Sequence, residues 1–144
     1  MPCREEETSV FWIETDQELA DAVASWDNCV GLDTEFIRTD TFYPIPGLYQ
    51  VASADQVFLI DPLTIEDWQP FSTFLMDPKT LIVMHACQED LEMLNHHMKV
   101  QPTSVVDTQF AYAFTGVDYS LSYANLVRRT IGVDLHKQET RSNW

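Results

Sequence analysis

A short, mainly apolar stretch that carries two acidic residues constrains this chain more than any other feature. The stretch is Val30–Phe36, and its length and polar flanks predict a β-strand. Because side chains alternate along a strand, Asp33 and Glu35 share one face with Gly31. Two carboxylates side by side on a buried strand are unfavourable unless a proton or a cation relieves their charge. A divalent metal is the simplest such relief, and Gly31 leaves room for it beside the pair.

A solvated edge strand is the alternative explanation, since both acids would then face water. A third carboxylate nearby would favour the metal site, and Asp90 is the candidate. It lies in the first turn of a predicted helix, 87–98, that follows a predicted buried strand, 81–85. The helix dipole alone would explain an acid there. The carboxyl ends of strands are, however, where α/β sheets usually build their sites.

The remaining chain alternates strand-like and helix-like segments. Thr15 and Glu18 have the spacing of a capping box, which marks the start of the first helix. The order of segments predicts an α/β domain with a mixed sheet, in which an antiparallel hairpin precedes parallel β-α-β units. Strands are predicted at 9–13, 30–36, 48–52, 57–60, 81–85 and 105–107, and helices at 16–26, within 65–75, and at 87–98, 109–114 and 121–130.

Length and charge limit the possible functions. A chain of 144 residues with 45% hydrophobic residues suits one globular domain spanning 1–144. The net charge of −15 argues against binding nucleic acid through a basic surface, but not against a metal-dependent enzyme. The three cysteines form no zinc-binding pattern and fit a reducing compartment. With no membrane-length apolar run and no signal peptide, a cytoplasmic location without membrane contact is expected.

Several short blocks, taken in order, carry a resemblance to a known family. They begin in the acidic strand, continue through the following loop and hairpin, and end at the last residue. The blocks are Gly31–Phe36, Arg38-Thr39, Tyr43-Pro44, Gly47–Gln50, Leu59–Pro62, His85-Ala86, Glu89–Leu91, Asp107–Gln109, and a spaced pattern from Gly132 to Trp144. Together they resemble ribonuclease D over almost the whole chain.

This resemblance implies a three-layer, ribonuclease H-like α/β fold and a 3′–5′ exonuclease of the DEDD group. Such an enzyme removes nucleotides from RNA 3′ ends, with tRNA precursors and other structured RNA as expected substrates, and uses two Mg²⁺ or Mn²⁺ ions. By position, Asp33 would bridge both ions, Glu35 would hold the ion that generates hydroxide, and Asp90 would help to hold the second. Carboxylate oxygens suit these hard ions, which can activate water and stabilise the leaving oxygen.

Four further residues are candidate contacts for RNA. They are Thr34, Arg38, Tyr43 and Lys137. The Arg38 guanidinium could meet a phosphate, and the Tyr43 ring could stack on a base. Lys137 could guide the RNA backbone. For Arg38, Tyr43 and Lys137 an ordinary structural or solvated role explains the residue equally well.

The third motif of the family, Tyr-x-x-x-Asp, is not found after Asp107. Phe114 and Asp118 have the spacing, but phenylalanine lacks the hydroxyl. The sequence therefore predicts a single exonuclease domain that is incomplete at its C-terminus, binds metal weakly and is weakly active or inactive alone. Two alternatives stay open: a catalytically silent module that binds nucleic acid or protein, and a metal-dependent phosphohydrolase with a small substrate. The oligomeric state is left open.

Other conspicuous residues have structural explanations. Asp107 is predicted to cap the next helix, and His85 to be a core histidine with satisfied hydrogen bonds. His96 and His97 are predicted to be a solvated helix end whose rings point apart, which excludes a shared metal. Trp12 is placed in the core with the other large aromatic residues. The serines have no His–Asp arrangement near them, which excludes nucleophilic catalysis.

Overall fold

The structure is a computed structural model and describes residues 8–135, so Lys137 lies outside the described residues. Every predicted element within that range is present, with ends shifted by a few residues. Among the strands, the largest shift is at the third, which begins three residues earlier than predicted and includes Pro46. The elements are β1 (Ser9–Ile13), α1 (Asp16–Ser25), β2 (Cys29–Ile37), β3 (Ile45–Ser53), β4 (Gln56–Ile60), α2 (Gln69–Met76), β5 (Leu81–Met84), α3 (Gln88–Met98), β6 (Val105–Asp107), α4 (Thr108–Ala113) and α5 (Tyr123–Ile131).

The strands form one mixed sheet in the order β1-β4-β3-β2-β5-β6. Strands β2, β3 and β4 are antiparallel neighbours, whereas β1 pairs with β4, β5 with β2, and β6 with β5 in parallel. The predicted mixed α/β architecture is therefore confirmed. Strand β2 lies between two other strands, so its acidic residues are not on a solvated edge strand.

Helices α1, α2 and α3 cover one face of this sheet. The capping box at the start of α1 is confirmed: Thr15 Oγ1 accepts from the Glu18 amide (3.3 Å), and the Glu18 carboxylate accepts from the Thr15 amide (3.1 Å). Such a box stabilises a helix start by about 1 kcal/mol. The core between sheet and helices includes Leu19, Val30, Leu32, Val51, Ile60, Phe71, Leu75, Ile82, Met93 and Leu94.

The core prediction is wrong for Trp12, whose side chain is 60% exposed. Its neighbour Ile13 points into the core instead. Because side chains alternate along β1, Trp12 lies on the face opposite the three helices. Strand β1 is also at the edge of the sheet, so it has a neighbouring strand on one side only. Hydrophobicity alone does not indicate which face of an edge strand is covered.

The prediction of a solvated helix end is also wrong for His97, although the two histidine rings do point apart. A hydrogen bond of 2.6 Å joins the hydroxyl of Tyr49, which is fully buried, to His97 Nδ1. The edge of the Trp68 ring packs against the same imidazole, with 5.0 Å between centroids. Burial lowers the pKa of His97, and the nearby His96 lowers it further. His97 is therefore half-buried, and its surroundings favour the neutral imidazole.

We expect the free energy of unfolding to depend on pH through His97. Because its pKa is lower in the folded state than in the unfolded chain, the contribution is fully present above the unfolded pKa, about 6.5. It is lost as pH falls through the folded pKa. Urea denaturation between pH 5 and pH 8 should show a smaller dependence in His97→Gln than in the wild type. Identical pH profiles for the two proteins would contradict this assignment.

Candidate active site

Two of the predicted site residues lie side by side on β2. Asp33 and Glu35 share a face of the strand, and the residue between them, Thr34, points into the covered face. Asp33 pairs in register with Gln50 on β3, whose Nε2 donates to Asp33 Oδ2 at 3.4 Å. A bulge follows directly after Glu35. Bulges locally bend and twist a strand, and they are frequent beside active sites.

Asp90 reaches the same part of β2 from the helical layer. It lies in the first turn of α3, is buried, and accepts a hydrogen bond from the Thr34 hydroxyl. The Thr34 backbone amide lowers the pKa of both Asp90 and Asp33, but burial outweighs this effect in each. Asp90 therefore approaches β2 from the opposite face of the sheet and contacts Thr34, the residue between the acidic pair.

The three carboxylates carry negative charge that the protein does not neutralise. Burial raises the pKa of Asp33, and a smaller opposing effect comes from His85. Burial also raises the pKa of Glu35, and repulsion from Asp33 and Asp90 raises it further. For Asp90, burial again raises the pKa, the Thr34 hydrogen bond opposes this, and Asp33 adds repulsion. The three groups thus influence one another electrostatically.

The donor chemistry of this site fits a hard divalent cation. Carboxylate oxygens are preferred ligands of Mg²⁺ and Mn²⁺, and a cation would offset the mutual repulsion. Within residues 8–135, however, no three His, Cys, Asp or Glu side chains stand close enough to form a ready metal-binding group. The charge and the donor type therefore fit a metal, whereas the present spacing does not by itself form a cage.

Asp107 fixes the start of the helix that carries Asp90. Its Oδ1 accepts from the amides of Ala86 (2.9 Å) and Gln109 (2.9 Å). Its Oδ2 accepts from the Cys87 amide at 3.0 Å. Asp107 is the N-cap residue of α4, so the predicted capping role is confirmed. The same carboxylate also holds the turn between β5 and α3, which the sequence did not predict.

A cavity of about 410 Å³ opens beside Asp33 on the face opposite the three helices. Its walls include Gly31, Gln50, His85 and Tyr123. His85 has both ring nitrogens engaged: Nε2 donates to the Leu121 carbonyl (2.9 Å), and Nδ1 lies 2.9 Å from the Thr108 hydroxyl. The predicted satisfied histidine is confirmed, and it also lines the cavity. The pairing of Gln50 with Asp33 was missed, although the register of the hairpin would have indicated it.

Three of the candidate RNA contacts are engaged within the protein. Thr34 is 6% exposed and donates to Asp90. Arg38 forms ion pairs with Glu89 (3.2 Å) and Glu92 (3.1 Å) on α3. Tyr43 is stacked on a histidine ring of α3. RNA would have to compete with these contacts, so the structure gives all three residues a role in holding β2 and the following loop against α3.

Comparison with known proteins identifies what this arrangement is similar to. A family model described as 3′–5′ exonuclease matches residues 10–144. Ribonuclease D of Pseudomonas paraeruginosa is 44% identical over 137 residues, which are 94% of this chain and 36% of that protein. The crystal structure of Escherichia coli RNase D, described as an exoribonuclease involved in structured RNA processing, has 40% identity and a TM-score of 0.85. The match covers 92% of this chain and 36% of the Escherichia coli chain. The predicted ribonuclease H-like fold is thereby confirmed.

A more distant structure shows the same fold. Trypanosoma brucei RNase D in complex with RNA U12 has 23% identity and a TM-score of 0.80, and the match covers 88% of this chain and 48% of that one. The chain spans about a third of the length of the curated relatives it matches. Among the described residues, no helix is both long and apolar enough to cross a membrane.

Proposed function

The chain belongs to the 3′–5′ exonuclease family, and on that premise we propose that it forms the metal-binding part of a 3′–5′ exoribonuclease. Asp33, Glu35 and Asp90 are the proposed catalytic residues and metal ligands. Two Mg²⁺ or Mn²⁺ ions are the proposed cofactors. RNA 3′ ends, including those of tRNA precursors and other structured RNA, are the proposed substrates, and the cytoplasm is the proposed location.

One observation carries this proposal: Asp33 and Glu35 share one face of a strand in the middle of the sheet, and Asp90 accepts a hydrogen bond from Thr34, the residue between them. A structural role alone does not account for the three carboxylates, because burial raises the pKa of each, and repulsion from Asp33 raises the pKa of Glu35 and Asp90 further. Partly desolvated carboxylates that repel one another destabilise a fold, and such groups cluster at functional sites. Binding a divalent cation is the function that hard oxygen donors in this arrangement support best.

The residues of this chain would prepare the site in separate ways. Gln50 orients Asp33 through its amide, and Thr34 orients Asp90 through its hydroxyl. All three acids must be ionised to bind a cation, so their raised pKa values predict that metal binding weakens as the solution becomes acidic. A bound divalent ion supplies water activation and neutralises charge on the phosphate.

The test is directional RNA shortening. With Mn²⁺ present, 5′-labelled single-stranded RNA should be shortened one nucleotide at a time, while circular RNA of the same sequence should remain intact. The expected rate for these 144 residues alone is low, so the assay needs high protein concentrations. Glu35→Gln should lower the rate by roughly 100-fold or more, since it removes a proposed ligand. Glu66→Gln, an exposed glutamate in the loop before α2, is the matched control.

Measuring RNA binding with the same RNA and the same variants separates the enzyme from a catalytically silent binding module. The module would bind RNA equally well with and without divalent ions, and Glu35→Gln would leave that binding unchanged. Cleavage of circular RNA would contradict the exonuclease assignment as well. The carboxylates favour the enzyme, because a silent module has no need of three acidic side chains around one strand.

A further inference from the structure

The loop that follows β2 lies along one stripe of α3. Arg38, at its start, contacts Glu89 and Glu92, and Tyr43, near its end, stacks on His96. Positions 89, 92 and 96 recur at helical spacing, so they share one side of α3. From Glu89 to His96 the helix rises about 10 Å. The loop therefore starts next to Asp90 and leads away from it along the helix.

This arrangement leaves one aromatic ring accessible at the far end of the loop. Tyr43 and His96 are nearly parallel, with 4.0 Å between centroids and 7° between planes. Phe42 packs against Tyr43 at 4.8 Å and 85°. Phe42 itself is 83% exposed. The stacked pair thus supports a phenylalanine ring that remains largely exposed to a ligand.

The surroundings of Phe42 within its loop offer aromatic stacking and no unpaired cation. The one cation of the loop, Arg38, is paired with two glutamates on α3. The chain as a whole carries a net charge of −15, so it repels phosphate. A base that stacks on an aromatic ring gains about 1–3 kcal/mol, whichever base it is. An acidic protein that handles RNA of many sequences needs this kind of contact.

We propose that Phe42 is a stacking site for a nucleobase near the 3′ end of single-stranded RNA, supported by the Tyr43–His96 pair. The site rests on the proposed exonuclease function. The distance along α3 corresponds to roughly three nucleotides at the 3.4 Å rise of a stacked strand. Phe42 would hold the strand while its terminal phosphodiester lies at the carboxylates. Stacking on a base, which the sequence suggested for Tyr43, is thereby assigned to Phe42.

The experiment uses short RNA with 2-aminopurine at each of the last four positions in turn. Ca²⁺ replaces Mg²⁺ so that binding is measured without turnover. The wild-type chain should quench the fluorescence at one of these positions. Phe42→Ala should abolish that quenching and weaken binding by about 5- to 100-fold, the equivalent of one stacked base. Phe42→Trp should restore both, whereas Phe42→Leu should not, because leucine has no ring.

Two further measurements separate the possible outcomes. The slope of affinity against salt concentration should be unchanged in Phe42→Ala, since no charge is lost. Leu63→Ala, which removes an equally exposed apolar side chain from the loop after β4, is the matched control and should bind like the wild type.

The proposal is overturned if Phe42→Ala binds and quenches like the wild type. The proposed function stands in that case, provided that Asp33→Asn still loses its Ca²⁺-dependent binding. If neither the wild type nor any variant binds RNA, the proposed function and the stacking site fail together. A change confined to sedimentation behaviour would show that Phe42 contacts a second copy of the chain, which also overturns the stacking site.

Discussion

Asp33→Asn is expected to raise the melting temperature of the metal-free protein and to abolish the further rise that divalent ions cause in the wild type. The two effects have one origin. Burial raises the pKa of Asp33, so the folded protein binds a proton there more tightly than the unfolded chain does. As pH rises through the interval between the unfolded and folded pKa values, the ionised carboxylate therefore lowers the free energy of unfolding. Asparagine has the same shape and no charge.

The measurement is thermal melting at pH 7, first with a chelator and then with increasing Mn²⁺ or Mg²⁺. An ion present at about 100 times its Kd stabilises a protein by about 2.7 kcal/mol. For a chain of this length that corresponds to roughly 5–10 °C. Because weak binding is expected, the titration has to reach millimolar concentrations. The wild type should show this rise and Asp33→Asn should not.

Asp55→Asn is the matched control, because Asp55 lies in the exposed turn between β3 and β4. It should melt like the wild type in both conditions. Equal ion-induced shifts in the wild type and Asp33→Asn would remove Asp33 from the proposed metal site. A lower melting temperature of metal-free Asp33→Asn would show instead that its carboxylate is stabilising, against the direction of its pKa.

The parts of this site that follow from local sequence were predictable, because alternation and helical spacing act over a few residues. The pattern of β2 put Asp33 and Glu35 on one face, and the first turn of α3 indicated Asp90. The approach of Asp90 from the opposite face was not predictable, since it depends on how the helix packs against the sheet. The contacts of Arg38 have the same origin: its partners are more than fifty residues away.

Strand order shows the same limit. The sequence predicted each strand, but only pairing through the whole sheet places β2 in the middle and β1 at an edge. The central position of β2 decides that its acids do not lie on a solvated edge, and the edge position of β1 leaves Trp12 exposed. The face on which a side chain ends is therefore a tertiary property, even where the alternation along the strand is clear.

Asp107→Ala is expected to destabilise the protein by about 3 kcal/mol, the largest loss predicted for a single side chain outside the core. One carboxylate accepts hydrogen bonds from four backbone amides, those of Ala86, Cys87, Gln109 and Phe110. Each hydrogen bond to a charged group contributes about 1.5–3 kcal/mol, but bonds that share an acceptor are not additive. The melting temperature should fall by roughly 10 °C.

The turn that Asp107 contacts, at Ala86 and Cys87, explains why water would be a poor substitute for the carboxylate as a hydrogen-bond acceptor. Ala86 has a φ of 51°, a left-handed conformation that an alanine rarely adopts. Cys87 is the N-cap of α3 and makes no side-chain cap of its own. Asp107 accepts hydrogen bonds from the amides of both residues, so it holds the turn that leads into α3. Its loss should therefore loosen the start of α3 and lower the affinity for divalent ions through Asp90.

The pH dependence of Asp107 has the opposite sign to that of Asp33. Burial acts to raise the pKa of Asp107, but the amides of Cys87, Ala86 and Phe110 outweigh it, so the net pKa lies below its usual value. The stabilisation is therefore complete above the unfolded pKa of about 4 and is lost as pH falls through the folded pKa.

Urea denaturation of Asp107→Ala and Asp77→Ala at pH 7 and pH 3 tests this. Asp77 also accepts from a backbone amide, that of Lys79, but through one local bond of 2.9 Å. Asp77→Ala should lose about 1 kcal/mol or less at pH 7. Asp107→Ala should differ from the wild type much less at pH 3 than at pH 7, because acid removes the same charge from the wild type. Equal losses in the two variants at pH 7 would show that Asp107 is an ordinary surface cap and does not hold α3 in place.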